Sequence, residues 1–465
     1  MQARQPGHIN RDEFNVLPTN NILTNNIVKA SIKRIKIVYL TLLKKKRYMY
    51  IYINVQDEKM TYTQTRDELL LKQIWFYFLQ SWSIPVEGSA LFNANSPSKA
   101  DKISTSPRRK RGRRLFFKSS PKDEDDSKYG PNGTNYSSGG LHYSLKDLDP
   151  NGIKEAFWQT IRKDSPDRLI MRFIRARNYD LDKAMEMLAG TLAWRLNESD
   201  VDKIILGGER AAYEHHEMGF IKNIELQKAV ITGKDKEGRP VVYIRSRLHH
   251  SGDQTLDEMK KYSLLIIEIA RLYLEEPVET ATVIFDLTGF TLSNMDYGPV
   301  IFLINCFEAH YPECLGRLFI HCAPWIFSSI WYVIKKLLDP VVASKISFTK
   351  SLDDLLKYID IDNIPSNLGG NSKYPMEEYQ KIDKSYDAKL KDTKTRDAIL
   401  KEREKIIQSY IKASVEWIEN TDERKSHQLK EKRSILEEEL GANYRKLDQY
   451  IRSRTMYDVN RSLQL

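Results

Sequence analysis

Between Ala281 and Gly370, short apolar runs alternate with aromatic-rich helical stretches, and this alternation restricts the chain to a parallel sheet with helices packed over it. Ala281-Thr-Val-Ile-Phe-Asp-Leu-Thr-Gly-Phe290 and Arg317-Leu-Phe-Ile-His-Cys-Ala-Pro324 each suit one buried strand, and Gly or Pro closes each. Between them Val300, Leu303, Ile304 and Phe307 recur at helical spacing, and Pro312 ends the pattern. After the second run, Phe327, Ile330, Trp331, Ile334, Leu337 and Leu338 form one wide apolar stripe, with Ser328, Tyr332, Lys335 and Lys336 on the opposite face. Asp339-Pro340 predicts a helix cap and first helical position, followed by a short turn and the strand Ile346-Ser-Phe-Thr349. These helices are more apolar than scaffolding requires.

Upstream, Ser165-Pro166 caps a helix that presents Leu169, Ile170, Phe173 and Ile174, and a second helix carries Leu181, Ala184, Met185, Leu188 and Leu192. Together they predict a helical bundle over 145–205. The polar turn Lys234-Asp-Lys-Glu-Gly238 marks a hairpin before Val241-Val-Tyr-Ile244, and Leu256 to Glu276 reads as a long helix ending at Pro277. With the sheet, these define a main domain over 206–375. An earlier helix sets Leu71, Ile74, Trp75, Phe78, Leu79 and Trp82 on one face, so 60–84 is expected to pack against the bundle. From Pro85 to Ser144 the sequence turns to Ser, Pro, Gly, Asn and charge, which predicts a disordered linker over 85–144. Inside it, Pro107 to Lys118 holds six basic residues in seven positions beside Leu115, Phe116 and Phe117. Such a cluster suits an anionic membrane at roughly 1 kcal/mol per Lys or Arg. It suits a nuclear-import signal or a solvated linker comparably well, and Asp123-Glu-Asp-Asp126 tempers any membrane pull.

Charge is unevenly spread. Residues 1–59 hold eleven Lys or Arg against four acids, so seven of the chain's ten net positive charges fall there and the body is nearly neutral. That stretch has no acid between Glu13 and Asp57 and is rich in Asn, Ile, Lys and Tyr. It reads either as a presequence or membrane-surface helix, or as sequence upstream of a true start at Met60; the second reading is preferred. A chain of 465 residues with 41% hydrophobic side chains can bury a large core. Cys306, Cys314 and Cys322 are odd in number and lack C-x-x-C pairing, which predicts reduced thiols in a cytosolic compartment. No run approaches the roughly 18 to 20 apolar residues that span a bilayer.

Seven motifs in one order carry a resemblance: Leu169-Ile-Met-Arg-Phe-Ile-Arg-Ala-Arg177, Gly238-Arg-Pro-Val241, Phe285-Asp-Leu-Thr-Gly-Phe290, Tyr311-Pro-Glu313, Ala323-Pro324, Leu338-Asp-Pro-Val-Val-Ala-Ser-Lys345 and Ile364-Pro-Ser-Asn-Leu-Gly-Gly370. The chain thereby resembles the CRAL-TRIO lipid-binding proteins, and within them the fungal phosphatidylinositol transfer proteins of the Sec-fourteen type, in a subgroup with a basic insertion and a helical tail. The resemblance implies an α/β fold: a mainly parallel sheet floors an apolar cavity, a gate helix covers it, a small all-α bundle precedes it and a helical tail over 376–465 follows. It places the gate at Phe327 to Leu338 and implies a cavity lined by Phe302, Phe307, Trp325, Phe327, Ile330, Trp331, Ile334 and Leu338. From the residues alone, each aromatic among these is as well read as ordinary core. For a phosphatidylinositol head group the resemblance implies Arg177, Glu313 and Lys345. The family's next Arg is Cys314 here, its Thr is Val342 and its Lys is Asn178. These departures remove donors, and Arg317 is the expected substitute. The implied ligand is a bound lipid with no further cofactor, and the implied partner is a membrane surface.

An enzyme is the rival class. Phe319-Ile-His-Cys322 at a strand end is the best local lead, but Pro324 lacks an N–H and position 328, where a cysteine phosphatase needs Arg, is Ser. No G-x-S-x-G, phosphate-binding loop or H-E-x-x-H occurs. Lys391 to Glu419 and Glu423 to Tyr450 predict a charged helical hairpin, packed on the lipid domain or recruiting a lipid kinase, phospholipase or similar enzyme. The resulting expectation is a monomeric, cytosolic, membrane-visiting carrier of phosphatidylinositol, with no nucleic-acid partner. The alternatives are a carrier of a neutral lipid or sterol precursor, and a lipid-controlled adaptor.

Overall fold

The computed structural model describes residues 66–88, 90–93, 140–374, 376 and 378–465. The readings of 1–59, of a start at Met60 and of the basic segment 107–118 lie outside the described residues.

Helix starts follow local chemistry. Before α2 (Pro150–Ile161), the Asp149 carboxylate accepts from the N–H groups of Asn151 and Gly152, and before α3 (Pro166–Ala176) Ser165 Oγ accepts from Arg168 N–H. These two helices, α1 (Arg66–Ser81) and α4 (Leu181–Asn197) share one core in which Phe78 stacks on Trp82 and the rings of Trp75, Phe157 and Trp158 meet them edge-on or tilted. Part of the stretch expected as linker is packed core instead. Val86, Leu91 and Phe92 are buried in this same core, the last two on the single turn Ala90–Asn93.

Two helices, α5 (Val201–Glu214) and α6 (Met218–Glu225), lead to the sheet. Strands β1 (Ala229–Lys234) and β2 (Pro240–Arg245) form the expected antiparallel hairpin, and Gly238 supplies a φ of +81° at its turn. Strands β3 (Ala281–Asp286), β4 (Leu315–His321) and β5 (Ile346–Thr349) then add in parallel, giving the order β1-β2-β3-β4-β5. The crossovers are α7 (Leu256–Leu272), α8 (Tyr297–Ala309), and α9 (Phe327–Ile334) with α10 (Pro340–Ser344). Helix α7 opens with a Thr255–Glu258 capping box and ends at Leu272, one turn before the expected Glu276, because Tyr273 already caps it. One sheet face, carrying Val241, Tyr243, Ile284 and Phe319, is sealed by Leu355, Ile359 and Ile364 after β5.

The tail forms the expected hairpin from α11 (Thr393–Glu419) and α12 (Glu423–Ile451). It docks on the helical bundle more than on the lipid domain. Tyr410, Trp417 and Leu440 join the core of Trp75 and Phe157, and buried Arg433 lies 4.2 Å from the Trp417 ring centroid while forming hydrogen bonds of 2.7 and 2.8 Å to Asp167. The tail also reaches the sheet: Met376 O accepts from Arg245 of β2 at 2.6 Å, and Tyr457 Oη accepts from Ile231 N–H at 3.1 Å.

Candidate lipid-binding site

The second sheet face is built from two apolar rows that run across four strands. Register places Val242, Val283, Leu318 and Ile346 in one row, and Ile244, Phe285, Ile320 and Phe348 in the next. Side chains in a covered parallel sheet are normally buried on both faces. Here Val283, Phe285, Leu318 and Ile346 are only half-buried and Phe348 is 48% exposed.

The helices over this face show the same deficit. Helix α8 is apolar almost throughout, yet only Pro299 and Cys306 are buried. Its Phe302, Leu303 and Phe307 lean on Val201, Leu264, Ile267 and Tyr311, so the two expected lining aromatics also complete a core with α5 and α7. The remaining apolar side, Val300, Ile301 and Ile304, has no such cover, and Ile301 is 43% exposed. Helix α9 lays Phe327, Ile330, Trp331 and Ile334 against Leu318, Ile320 and Ile346, with Trp331 edge-on to Phe348 at 5.3 Å. The i, i+3, i+4, i+7 spacing produces that inward stripe. Leu338 is half-buried beyond the helix end. Trp325 departs from its expected place in the lining: it lies in the turn before α9 and is 87% exposed.

At the amino-terminal edge of the parallel strands, Lys345 caps the end of α10, and its Nζ lies 3.6 Å from Glu313 Oε2. Both side chains are partly accessible, at 24% and 32%. The sheet register holds them there, since Leu318 N–H donates to Lys345 O at 2.9 Å. Arg177, at the end of α3, is half-buried and forms no ion pair among the described residues. Its neighbour Arg175 donates to Glu279 at 2.6 Å, just ahead of β3, which brings the end of α3 to the same edge of the sheet.

Arg317 does not stand with these residues as a substitute donor. Strand alternation turns it to the opposite face beside Phe319, where it donates to Glu237 Oε1 at 2.6 Å and lies over the Tyr358 ring. Cys314 is a half-buried thiol whose Sγ donates to Pro312 O at 3.5 Å, and burial pushes its pKa up, so it adds no charge there.

One supporting group escaped the sequence reading. Glu268 is 1% exposed and accepts from Arg195, Arg271, Arg162 and the Tyr311 hydroxyl. Burial alone would raise its pKa, but the three guanidinium groups outweigh burial and hold it well below the ordinary value. This knot pins Tyr311, two residues before Glu313. Its one sequence signal is a single acid within the apolar run Leu264 to Ala270.

Among the described residues no cluster of His, Cys, Asp or Glu is arranged to hold a metal ion, and no helix is long and apolar enough to cross a membrane. An apolar trough with a charged rim fits one amphiphilic molecule, and the arrangement defines a lipid-binding protein.

Comparisons with known proteins agree. The CRAL/TRIO domain matches residues 224–370 and the CRAL/TRIO N-terminal domain matches 141–190. The chain is 47% identical over 421 residues to "Phosphatidylinositol transfer protein CSR1" of Eremothecium gossypii, spanning 86% of this chain and 96% of that protein. It is 35% identical over 401 residues to "CRAL-TRIO domain-containing protein C3H8.02" of Schizosaccharomyces pombe, spanning 84% and 89%. With "SEC14 cytosolic factor" of Candida glabrata it shares 30% identity over 261 residues, spanning 50% and 78%. The chain therefore belongs to the CRAL/TRIO family, a family of non-enzymatic lipid carriers.

Proposed function

We propose that this protein exchanges single phosphatidylinositol molecules between membranes, with the acyl chains on the two apolar rows of the sheet and the phosphoinositol group at Lys345, Glu313 and Arg177. The observation that carries this reading is the half-covered apolar floor lying beside the accessible Lys345–Glu313 pair. At roughly 0.8 kcal/mol per CH₂, a lipid with some thirty methylenes faces a barrier of about 24 kcal/mol to entering water. A protein trough of comparable apolarity removes most of that barrier without needing high net affinity.

Membrane visits are assigned to the outer side of the α9 region. Trp325, Tyr332, Leu337 and Val341 are 87%, 65%, 46% and 56% exposed, and Lys335 and Lys336 lie among them. Apolar and aromatic tips flanked by cations suit an anionic interface.

A neutral lipid is the second reading, favoured by the uncharged Cys314 where the family carries Arg. The tail as a recruiting arm for a lipid-metabolic enzyme draws less support, since the hairpin spends its apolar side inside the helical bundle. The test is transfer of labelled phosphatidylinositol between donor and acceptor vesicles, run beside labelled phosphatidylcholine. Catalytic transfer of the inositol lipid is expected; no acceleration over the protein-free rate would overturn the proposal.

A further inference from the structure

A second cleft, of about 620 Å³, lies away from the apolar trough, between α12, the turn joining α2 to α3, and the end of α7. That volume falls in the range of small-molecule sites. Its wall is polar, and most of its acids are already occupied. Asp164 pairs with Arg172 at 2.8 Å, Glu276 with Arg168 at 2.5 Å and Glu275 with Lys234 at 3.6 Å. Glu437 accepts from the Tyr410 hydroxyl at 2.9 Å, and burial pushes its pKa up to about 7.

Two cations of the wall have no such partner. Lys163 and Arg445 line the cleft, and neither forms an ion pair or side-chain hydrogen bond among the described residues. Gly441 of α12 lies between them: a Cβ there would be 3.3 Å from the Lys163 backbone O and 3.6 Å from Arg445 Nη1, so the Arg445 guanidinium lies beside the Lys163 backbone. A third cation also lines the wall. Arg172 lines the same cleft, is 3% exposed, and its Nε has no acceptor. Burial lowers the Lys163 pKa; the Glu275 carboxylate offsets part of that shift and the Arg445 guanidinium adds to it, so burial of the ammonium carries an electrostatic cost. An anion seated among the three would relieve that cost and gain charge-assisted hydrogen bonds.

We propose that this cleft is a phosphate-binding site for a phosphorylated polyol of small-molecule size, taken either as a free metabolite or as the head group of a phosphoinositide. The ammonium of Lys163 and the fork of Arg445 supply the phosphate contacts, while Ser434 and the exposed Glu438 on the rim can meet hydroxyl groups. The ligand would bridge α12 to the α2–α3 turn and so clamp the tail hairpin onto the bundle. The proposal goes beyond the transfer reading and does not depend on it.

The test is calorimetric titration of the full chain with inositol 1,4-bisphosphate and with inorganic pyrophosphate, beside flotation on phosphatidylcholine vesicles with and without phosphatidylinositol 4-phosphate. Variants Lys163→Gln, Arg445→Gln and the double substitution are compared by the same assays and by thermal melting. Saturable one-site binding that weakens at least about tenfold in the double variant is expected, as loss of charge-assisted bonds predicts. Soluble binding without phosphoinositide-dependent flotation identifies a free metabolite, and flotation lost in the double variant identifies the lipid head group. No saturable binding of either soluble probe together with no phosphoinositide-dependent flotation, or binding unchanged in a folded double variant, would overturn the proposal. Phosphatidylinositol transfer should persist in the double variant, so the two proposals fail separately.

Discussion

Lys345 holds its ammonium 3.6 Å from the Glu313 carboxylate at the edge of the sheet where the apolar rows of β4 and β5 begin. The pair is 32 residues apart in sequence and joins only because α10 ends beside the entry to β4. Partial exposure leaves the Lys345 donors open to a second acceptor, which a phosphate would provide.

Substituting Lys345→Ala removes that donor without touching a core. Hydrogen bonds to charged groups contribute about 1.5–3 kcal/mol, so phosphatidylinositol binding should weaken by about 10- to 150-fold. Vesicle transfer measures the loss, and an unchanged melting temperature shows that the fold remains.

Trp325→Ala combined with Tyr332→Ala should reduce vesicle association and leave thermal stability nearly unchanged, because both side chains are mostly exposed. Burying a large apolar side chain contributes roughly 1.5–3 kcal/mol, so partitioning should fall by at least about tenfold. Sedimentation with anionic vesicles measures it.

Arg433→Met should destabilise the protein by about 3–5 kcal/mol, the cost of leaving Asp167 without its buried partner. Asp167 also accepts from the Trp75 indole and lies 3.1 Å from the Tyr410 oxygen, so the loss spreads across the bundle–tail contact. Denaturant unfolding would show it. A freely detachable tail would show almost no effect.

Glu209 lies 5% exposed on α5, and burial pushes its pKa up to about 8. The folded state therefore holds a proton that the unfolded chain releases near its ordinary value of 4.5. The contribution is fully present below about 4.5 and is lost as pH rises towards 8. Glu209→Gln should melt above the wild type by a margin that grows between those limits. Parallel melting curves from pH 5 to 9 measure the margin.

Most of the fold was legible in the sequence because its signals are local. Gly289 and Pro324 close apolar runs of strand length, Ser165-Pro166 and Asp339-Pro340 start helices, and Lys234 to Gly238 turns a hairpin. The remainder depends on long-range packing. Arg433 reads as a surface charge in any helical pattern, and only the tertiary structure sets it beside Trp75, Tyr410 and Trp417. The resemblance implies Trp325 as lining, but it stands in the turn after Ala323-Pro324 and is 87% exposed. Arg317 fell on the wrong face because the strand begins at Leu315, which fixes the alternation. Of the residues that the resemblance implies for a head group, Glu313 and Lys345 lie 3.6 Å apart, a contact that their spacing of 32 residues does not signal.

The most direct measurement is mass spectrometry of lipids extracted from the purified protein, for the wild type and for Lys345→Ala. Phosphatidylinositol in the wild type that falls away in a folded variant is the predicted result. A neutral lipid retained equally by both, with no phosphatidylinositol in either, would contradict the account.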